Sequence, residues 1–348
     1  MGPDSSRILW VDYAKGFCII LVVMFHVVNN VYWTFDVRGW LQPVVNFATP
    51  FRIPDFFLIS GLFLSHTLHA PAKQYFDKKV LHFVYFYLLW LAIQSLLIDF
   101  RVLLEAPGYF VKQNLIALVE PTSSLWFVHM LAIFYVVTRL LRHVPPVVLV
   151  LAAFGLQTLY QFEVIKSDWS VLEHFCNRYV YFLIGFAFAP QILAFAGQAS
   201  LRPILGSVLV VAWALGNWFA VELEWHLGFP GAFLLGLAGA TAVCCVSALL
   251  SRFNLLMFIR YCGRNSIVIY LTYAIPMTAS IAFMKIFGLP LGDPGTATAI
   301  GLVASVGLPL LFHLMVKNTP AKLLYERPAW ASVDHVLSYW PSRRAEST

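Results

Sequence analysis

The chain has 348 residues, 60% of them hydrophobic and only 11% charged, with a formal net charge of +6. Soluble domains are about a quarter charged, so this composition excludes a soluble globular core and makes the bilayer the main solvent. The positive charge does not point to nucleic acid either, because basic loops beside apolar spans are accounted for by membrane topology.

Apolar runs of the roughly 17–25 residues needed to cross a bilayer recur throughout. They predict an all-α, polytopic membrane fold of about ten transmembrane helices, near 14–33, 44–66, 80–99, 125–141, 146–162, 177–196, 203–221, 230–250, 265–286 and 297–316. The first run has a basic start in Arg7 and Lys15, as a signal peptide would. It is too long for one and ends in "NNVYW" instead of a small-residue cleavage site, so a retained helix is expected. With ten spans and a cytoplasmic N-terminus, Arg38, Arg101, Lys112, Lys166 and Lys285 fall outside and Arg52 and Arg178 fall within spans. The remaining sixteen of the 23 Lys and Arg then lie on the inside, so both termini are expected in the cytoplasm. No repeat or linker divides the chain, which predicts one membrane domain over 1–316 followed by a cytoplasmic tail, 317–348. That tail is expected to lie on the inner leaflet or to be disordered. Cys18, Cys176, Cys244, Cys245 and Cys262 lie in or beside apolar runs without ligand spacing, so they read as small hydrophobes, and no metal is expected.

Ionisable residues inside spans are costly and therefore informative. In "KGFCIILVVMFHVVNN", Lys15 and His26 are eleven residues apart. At 100° per residue that step is close to three full turns, so the two share a helix face about 16 Å apart along the axis. A ligand held at the inner mouth by Lys15 reaches His26 only through a long thin arm. Asn29 and Asn30 follow on the same side, placed to fix the imidazole tautomer or to hydrogen-bond a reacting oxygen. A histidine simply bonded to a neighbouring helix fits the same pattern.

In "FRIPDFFLISGLFL", Arg52 and Asp55 are three apart on one face and are expected to pair, either as a tolerated buried ion pair or as a substrate contact. Ser60 and Gly61 allow close helix approach. "DKKVLHF" brings Lys78, Lys79 and His82 to the inner start of the third span, where topology and the docking of a phosphorylated cofactor both favour cations. Trp126 and His129 in "SSLWFVHM", and Arg178 in "NRYVYFLIG", fall in the outer half of their spans, and with Arg52 could line a pocket open to the outside. Trp126 also suits an interfacial belt, and Arg178 suits snorkelling to headgroups. "YCGRNSIVIYLTY" opens the ninth span with Gly263 and Asn265, with Tyr270 and Tyr273 deeper.

These stretches, in this order, resemble membrane acyltransferase family 3, the integral-membrane sugar and glycan O-acetyltransferases. Lys15 and His26, after Asp12, are similar to the family's first-helix signature of a basic residue, ten residues, then histidine. "FRIPDFFLISGLFL" resembles its second-helix block, "SLWFV" its Leu-Trp-Phe block, "RYVYFLIG" its Phe-Leu-x-Gly helix and "GRNSIVIYL" its late Gly-x-x-Ser-x-x-Ile-Tyr segment. The likeness covers roughly residues 12–275. It implies acyl-CoA, most often acetyl-CoA, as cytoplasmic donor, and an acceptor hydroxyl on a carbohydrate or lipid-linked glycan reached from the other side, in the cell's inner membrane. The chain departs from the family at Lys79 and His82, where many members carry an Arg-x-x-Arg pair, at Tyr273, where many have histidine, and at Asp55, where an apolar residue is common.

On this basis His26 is expected to act as general base or acyl relay, with Asn30, Asn29 or Tyr270 at the oxyanion. Lys15, Lys78, Lys79 and His82 are expected to hold the donor, and Arg52, Trp126, His129, Arg178 and Tyr270 to contact the acceptor. The rival is a secondary transporter of a glycan or small solute, since buried Arg, Asp and His also mark transport paths. The paired, interrupted half-repeats common in transporters are not visible.

Overall fold

The computed structural model describes residues 8–121, 124–289 and 292–332, and every regular element among them is helical. In chain order these are α1 (Leu9–Phe35), α2 (Gln42–Ala48), α3 (Arg52–Gly61), α4 (Ser65–Leu68), α5 (Ala72–Phe76), α6 (His82–Ile98), α7 (Phe100–Glu105), α8 (Pro107–Ala117) and α9 (Trp126–Leu140). There follow α10 (Pro146–Gln161), α11 (Ser170–Ala187), α12 (Ala189–Leu201), α13 (Pro203–Glu222), α14 (Gly231–Phe253), α15 (Met257–Arg264), α16 (Ser266–Thr272), α17 (Ala274–Phe287) and α18 (Pro294–Val316). A π-helical turn, Asp77–Leu81, joins α5 to α6, so Ala72–Ile98 forms one long helix.

Five of the described helices are long and apolar enough to cross a membrane: α1, Ala72–Ile98, α13, α14 and α18. Counting each bent pair as one span raises this to seven, with α11 and α12 meeting at 73° and α16 and α17 at 47°. The chain is a multi-pass membrane protein. Proline sets both bends. The ring of a helical proline clashes with the carbonyl four residues earlier, which for Pro190 is Phe186 and for Pro276 is Thr272, so the helices break at Phe188 and Tyr273. The stretch 44–66, expected as one span, is divided among α2, α3 and α4. Ten residues of α3 rise only about 15 Å, half a hydrocarbon core.

The chain divides into two compact units, Met1–Ser65 with Val144–Leu314 and His66–His143 with Met315–Thr348. In the first, α1 is the hub, packed against α2, α3, α14, α15, α16 and α17. Its Met24 and Val28 meet Leu41, Val45 and Leu302, and its Val31 meets Ile281, Met284 and Ala297. α3 lies on α11 so closely that a Cβ on Gly61 would strike the Phe182 carbonyl, and one on Gly185 would strike that of Leu58. The close approach expected of Gly61 is thus made, with small residues letting two backbones touch as in other membrane helix pairs. α13 turns Ile204, Val208, Val211 and Leu215 outward, with Ile204 82% exposed, the pattern of a lipid-facing helix.

In the second unit, α6 packs against α8 and α9. The segment after α18, expected on the inner leaflet or disordered, is tied to this helix. Tyr85 donates to the Leu323 carbonyl, Trp90 Nε1 donates to that of Leu324, and Arg327 pairs with Asp77 at 2.6 Å. Arg7 and the tail residues 333–348 lie outside the described residues.

Candidate functional site

The first unit gathers six of the sequence-predicted residues: Lys15, His26, Asn30, Arg52, Arg178 and Tyr270. α1 runs unbroken through both Lys15 and His26, each of them partly buried, which keeps the shared face that the eleven-residue spacing requires. The His26 ring is held edge-on by Phe25, with centroids 5.3 Å apart, and tilted against Tyr273 at 5.4 Å. Tyr273 is fully buried and sits at the α16–α17 break, so the bend imposed by Pro276 delivers its ring to His26. Tyr270 is buried one turn earlier, its ring 6.4 Å from that of Tyr273.

Asn30 makes contacts that its spacing did not specify. Its amide Nδ2 donates to the backbone carbonyl of His26 at 2.9 Å and approaches Met277 Sδ at 3.6 Å, so it braces α1 against α17. The imidazole itself is not its hydrogen-bond partner.

Arg52 lies beside this cluster. Its guanidinium carbon is 3.8 Å from the centre of the Phe25 ring, and Nη1 donates to Thr49 Oγ1 at 3.0 Å. It also interacts electrostatically with His26 and with Arg178, whose Nη1 is 3.1 Å from His174 Nδ1. Two arginines and a histidine therefore share one electropositive region of the first unit, the charge pattern suited to an anionic or developing-negative group.

The expected Arg52–Asp55 pair is not formed. Arg52, at the first position of α3, reaches back to Thr49 and Phe25, while Asp55 turns toward α1 and accepts a hydrogen bond from Cys18 Sγ at 2.8 Å. Residues three apart on a helix differ by about 60° in direction, enough for two side chains to choose different neighbours. Asp55 is 1% exposed, and its second oxygen, Oδ1, has no hydrogen-bond partner.

The remaining sequence-predicted residues belong to the second unit. Lys78 is exposed and Lys79 partly buried in the π-helical turn, and the His82 ring meets Phe86 edge-on at 4.9 Å. Trp126 opens α9, edge-on to Phe127. His129 packs at 5.0 Å against Tyr87 with Nε2 3.3 Å from the Leu118 carbonyl. No group of three or more His, Cys, Asp or Glu side chains able to hold a metal ion occurs among the described residues.

Tyr273 is the contact that sequence reasoning leaves without a role. Its only signal is a tyrosine three residues ahead of a proline, which places it at a bend without saying what faces it.

A helical membrane body built around a first helix with a lysine and, three turns on, a histidine is the frame of a membrane acyltransferase. Residues 8–314 match the acyltransferase domain of acyltransferase family 3, and the chain belongs to that family. It is 24% identical over 246 residues to the inner membrane protein YcfT of Escherichia coli (strain K12), an alignment covering 63% of this chain and 67% of that protein. No solved structure matches it.

Proposed function

We propose that the protein transfers an acyl group, most simply acetyl, from cytoplasmic acyl-CoA to a hydroxyl of a carbohydrate or lipid-linked glycan on the other side of the membrane. The observation that carries this reading is the placement of His26, partly accessible in mid-helix, flanked by Phe25 and Tyr273 and under the charge of Arg52. The topology that goes with it is ten spans within 1–316, both termini cytoplasmic, in the cell's inner membrane.

In the reaction the acceptor oxygen attacks the thioester carbonyl. An O–C bond forms, the C–S bond breaks, and the hydroxyl proton passes through His26 to the departing CoA thiolate. A base with an unperturbed pKa of about 6.5 suits this step, and positioned general bases contribute roughly 10²–10⁴-fold. An acyl-histidine relay satisfies the same balance in two steps. Lys15, Lys78, Lys79 and His82 serve the donor's phosphates. Arg52, Arg178, Tyr270, Trp126 and His129 serve the acceptor. Asn30, held against α1 by its bond to the His26 carbonyl, serves at the oxyanion.

The experiment compares, by mass, the envelope glycans of cells with and without the gene. Acetyl increments that disappear with the gene support the proposal, and identical glycans from both cells contradict it.

A further inference from the structure

Arg52 opens α3 and is 8% exposed. A guanidinium is a permanent cation with five N–H groups, and burying one is costly unless an anion meets it. The protein supplies little of what it needs. Nη1 donates to the neutral hydroxyl of Thr49, and the flat face lies on Phe25. Among the described residues Arg52 forms no ion pair. Asp55, the carboxylate of its own helix, is turned to α1 and takes the hydrogen bond of Cys18. The charge that acts on Arg52 is that of Arg178, of the same sign. Arg178 differs, because the carboxylate of Glu173 acts on it from five residues earlier in α11. Arg52 is thus a buried cation without a counter-charge among the described residues.

The surroundings say what kind of group would meet it. An aromatic face attracts a cation but offers no lone pair to the N–H groups along the guanidinium edge. That edge is a planar fork matched to two oxygens of a carboxylate or a phosphate. Phe25, which carries the guanidinium on its face, also contacts the His26 ring at 5.3 Å. An anion held by Arg52 therefore stands beside the imidazole, on the same sugar as the reacting hydroxyl or on the next one. The donor's phosphates do not fill this place. Lys15, which serves them, is ten residues from Phe25 on one unbroken helix, about 15 Å along its axis.

We infer that the acceptor is an anionic glycan: the sugar that receives the acyl group, or its neighbour, carries a carboxylate or a phosphate monoester, and Arg52 holds that group. This inference rests on the acyl-transfer reading above and narrows its acceptor.

The test takes unacetylated glycan from cells lacking the gene. It is used as isolated, after amidation of its carboxyls, and after phosphatase treatment. Purified full-length wild type, Arg52→Gln and Arg52→Lys are assayed on each glycan with labelled acetyl-CoA, and acetyl-CoA calorimetry verifies that each variant is folded. Amidation or phosphatase treatment should raise the wild-type KM about tenfold or more with little change in kcat, and the treatment that does so names the anion. Arg52→Gln should show the raised KM on untreated glycan and no further rise on treatment, with Arg52→Lys in between. A wild type that acylates treated and untreated glycan alike overturns the inference and leaves acyl transfer standing. An Arg52→Gln protein that loses only kcat, equally on all three glycans, also overturns it, because the cation then acts on the reaction's own oxyanion. A wild type that transfers to none of the glycans overturns both the inference and the reading beneath it.

Discussion

The guanidinium of Arg52 rests on the face of Phe25, 3.8 Å from its centre, and that same ring makes a T-shaped contact with His26. One aromatic side chain thus fixes the position of a cation relative to an imidazole. Lysine cannot reproduce a flat ion stacked on a ring. Arg52→Lys should lower acyl transfer by about tenfold, the scale of a desolvated cation–π contact, with little change in thermal stability. Steady-state transfer and melting curves on the same preparation check this, and an unchanged rate would show that the stacking is incidental.

Tyr273 reaches His26 because α16 and α17 meet at a bend. Pro276→Ala restores a backbone donor opposite the Thr272 carbonyl and should straighten the pair, drawing the ring away. The expected result is a protein of equal or higher melting temperature with several-fold lower turnover. Tyr273→Phe keeps the ring and should be milder than Tyr273→Ala; the reverse order would count against ring packing as the residue's contribution.

The buried contact between Cys18 and Asp55 joins α1 to α3. Cys18→Ser retains a donor and should be close to neutral. Cys18→Val leaves the carboxyl with neither oxygen satisfied and should cost about 1–3 kcal/mol. Asp55→Asn should be tolerated, because its carbonyl oxygen can still accept. Denaturant titration in detergent ranks the three, and a Cys18→Val protein as stable as the wild type would refute the contact.

At the start of α18, just outside the span, Asp293 accepts from Gly295 N, Thr296 N and Thr296 Oγ1. These bonds to Thr296 and Gly295 hold its carboxyl below the ordinary carboxylate value. The folded pKa is depressed, so the cap's stabilisation is present above the unfolded value of about 3.9 and fades as pH falls through the folded one. Wild type should therefore melt higher than Asp293→Ala at pH 7, and the gap should close below about pH 4. A gap independent of pH would exclude the carboxylate as its source.

Much of the helical frame was legible in the sequence. The runs at 146–162, 203–221 and 230–250 became α10, α13 and α14 within a few residues, because Pro146 and Pro203 suit a first turn and Gly231 opens the third. What hydropathy could not register is the break inside an apolar run. Pro190 and Pro276 barely alter a window average, yet they turn the chain by 73° and 47°. The short helices α7 and α8 mix apolar and polar residues in a segment that offers no periodic signal. At the site, the face shared by Lys15 and His26 followed from helix geometry alone, since both stand on one unbroken helix. The partners of Arg52, Asp55 and Asn30 did not, because a residue's direction from its own helix leaves open which neighbour it meets. Tyr273 was hidden for the same reason, as it draws its interest from a ring supplied by another helix.

The most direct measurement is transfer from labelled acetyl-CoA by the purified protein, comparing wild type with His26→Ala. The account predicts a loss of at least about a hundredfold in His26→Ala, the lower end of what a positioned base supplies, while the variant keeps its acetyl-CoA affinity. Turnover by His26→Ala equal to that of the wild type would contradict it.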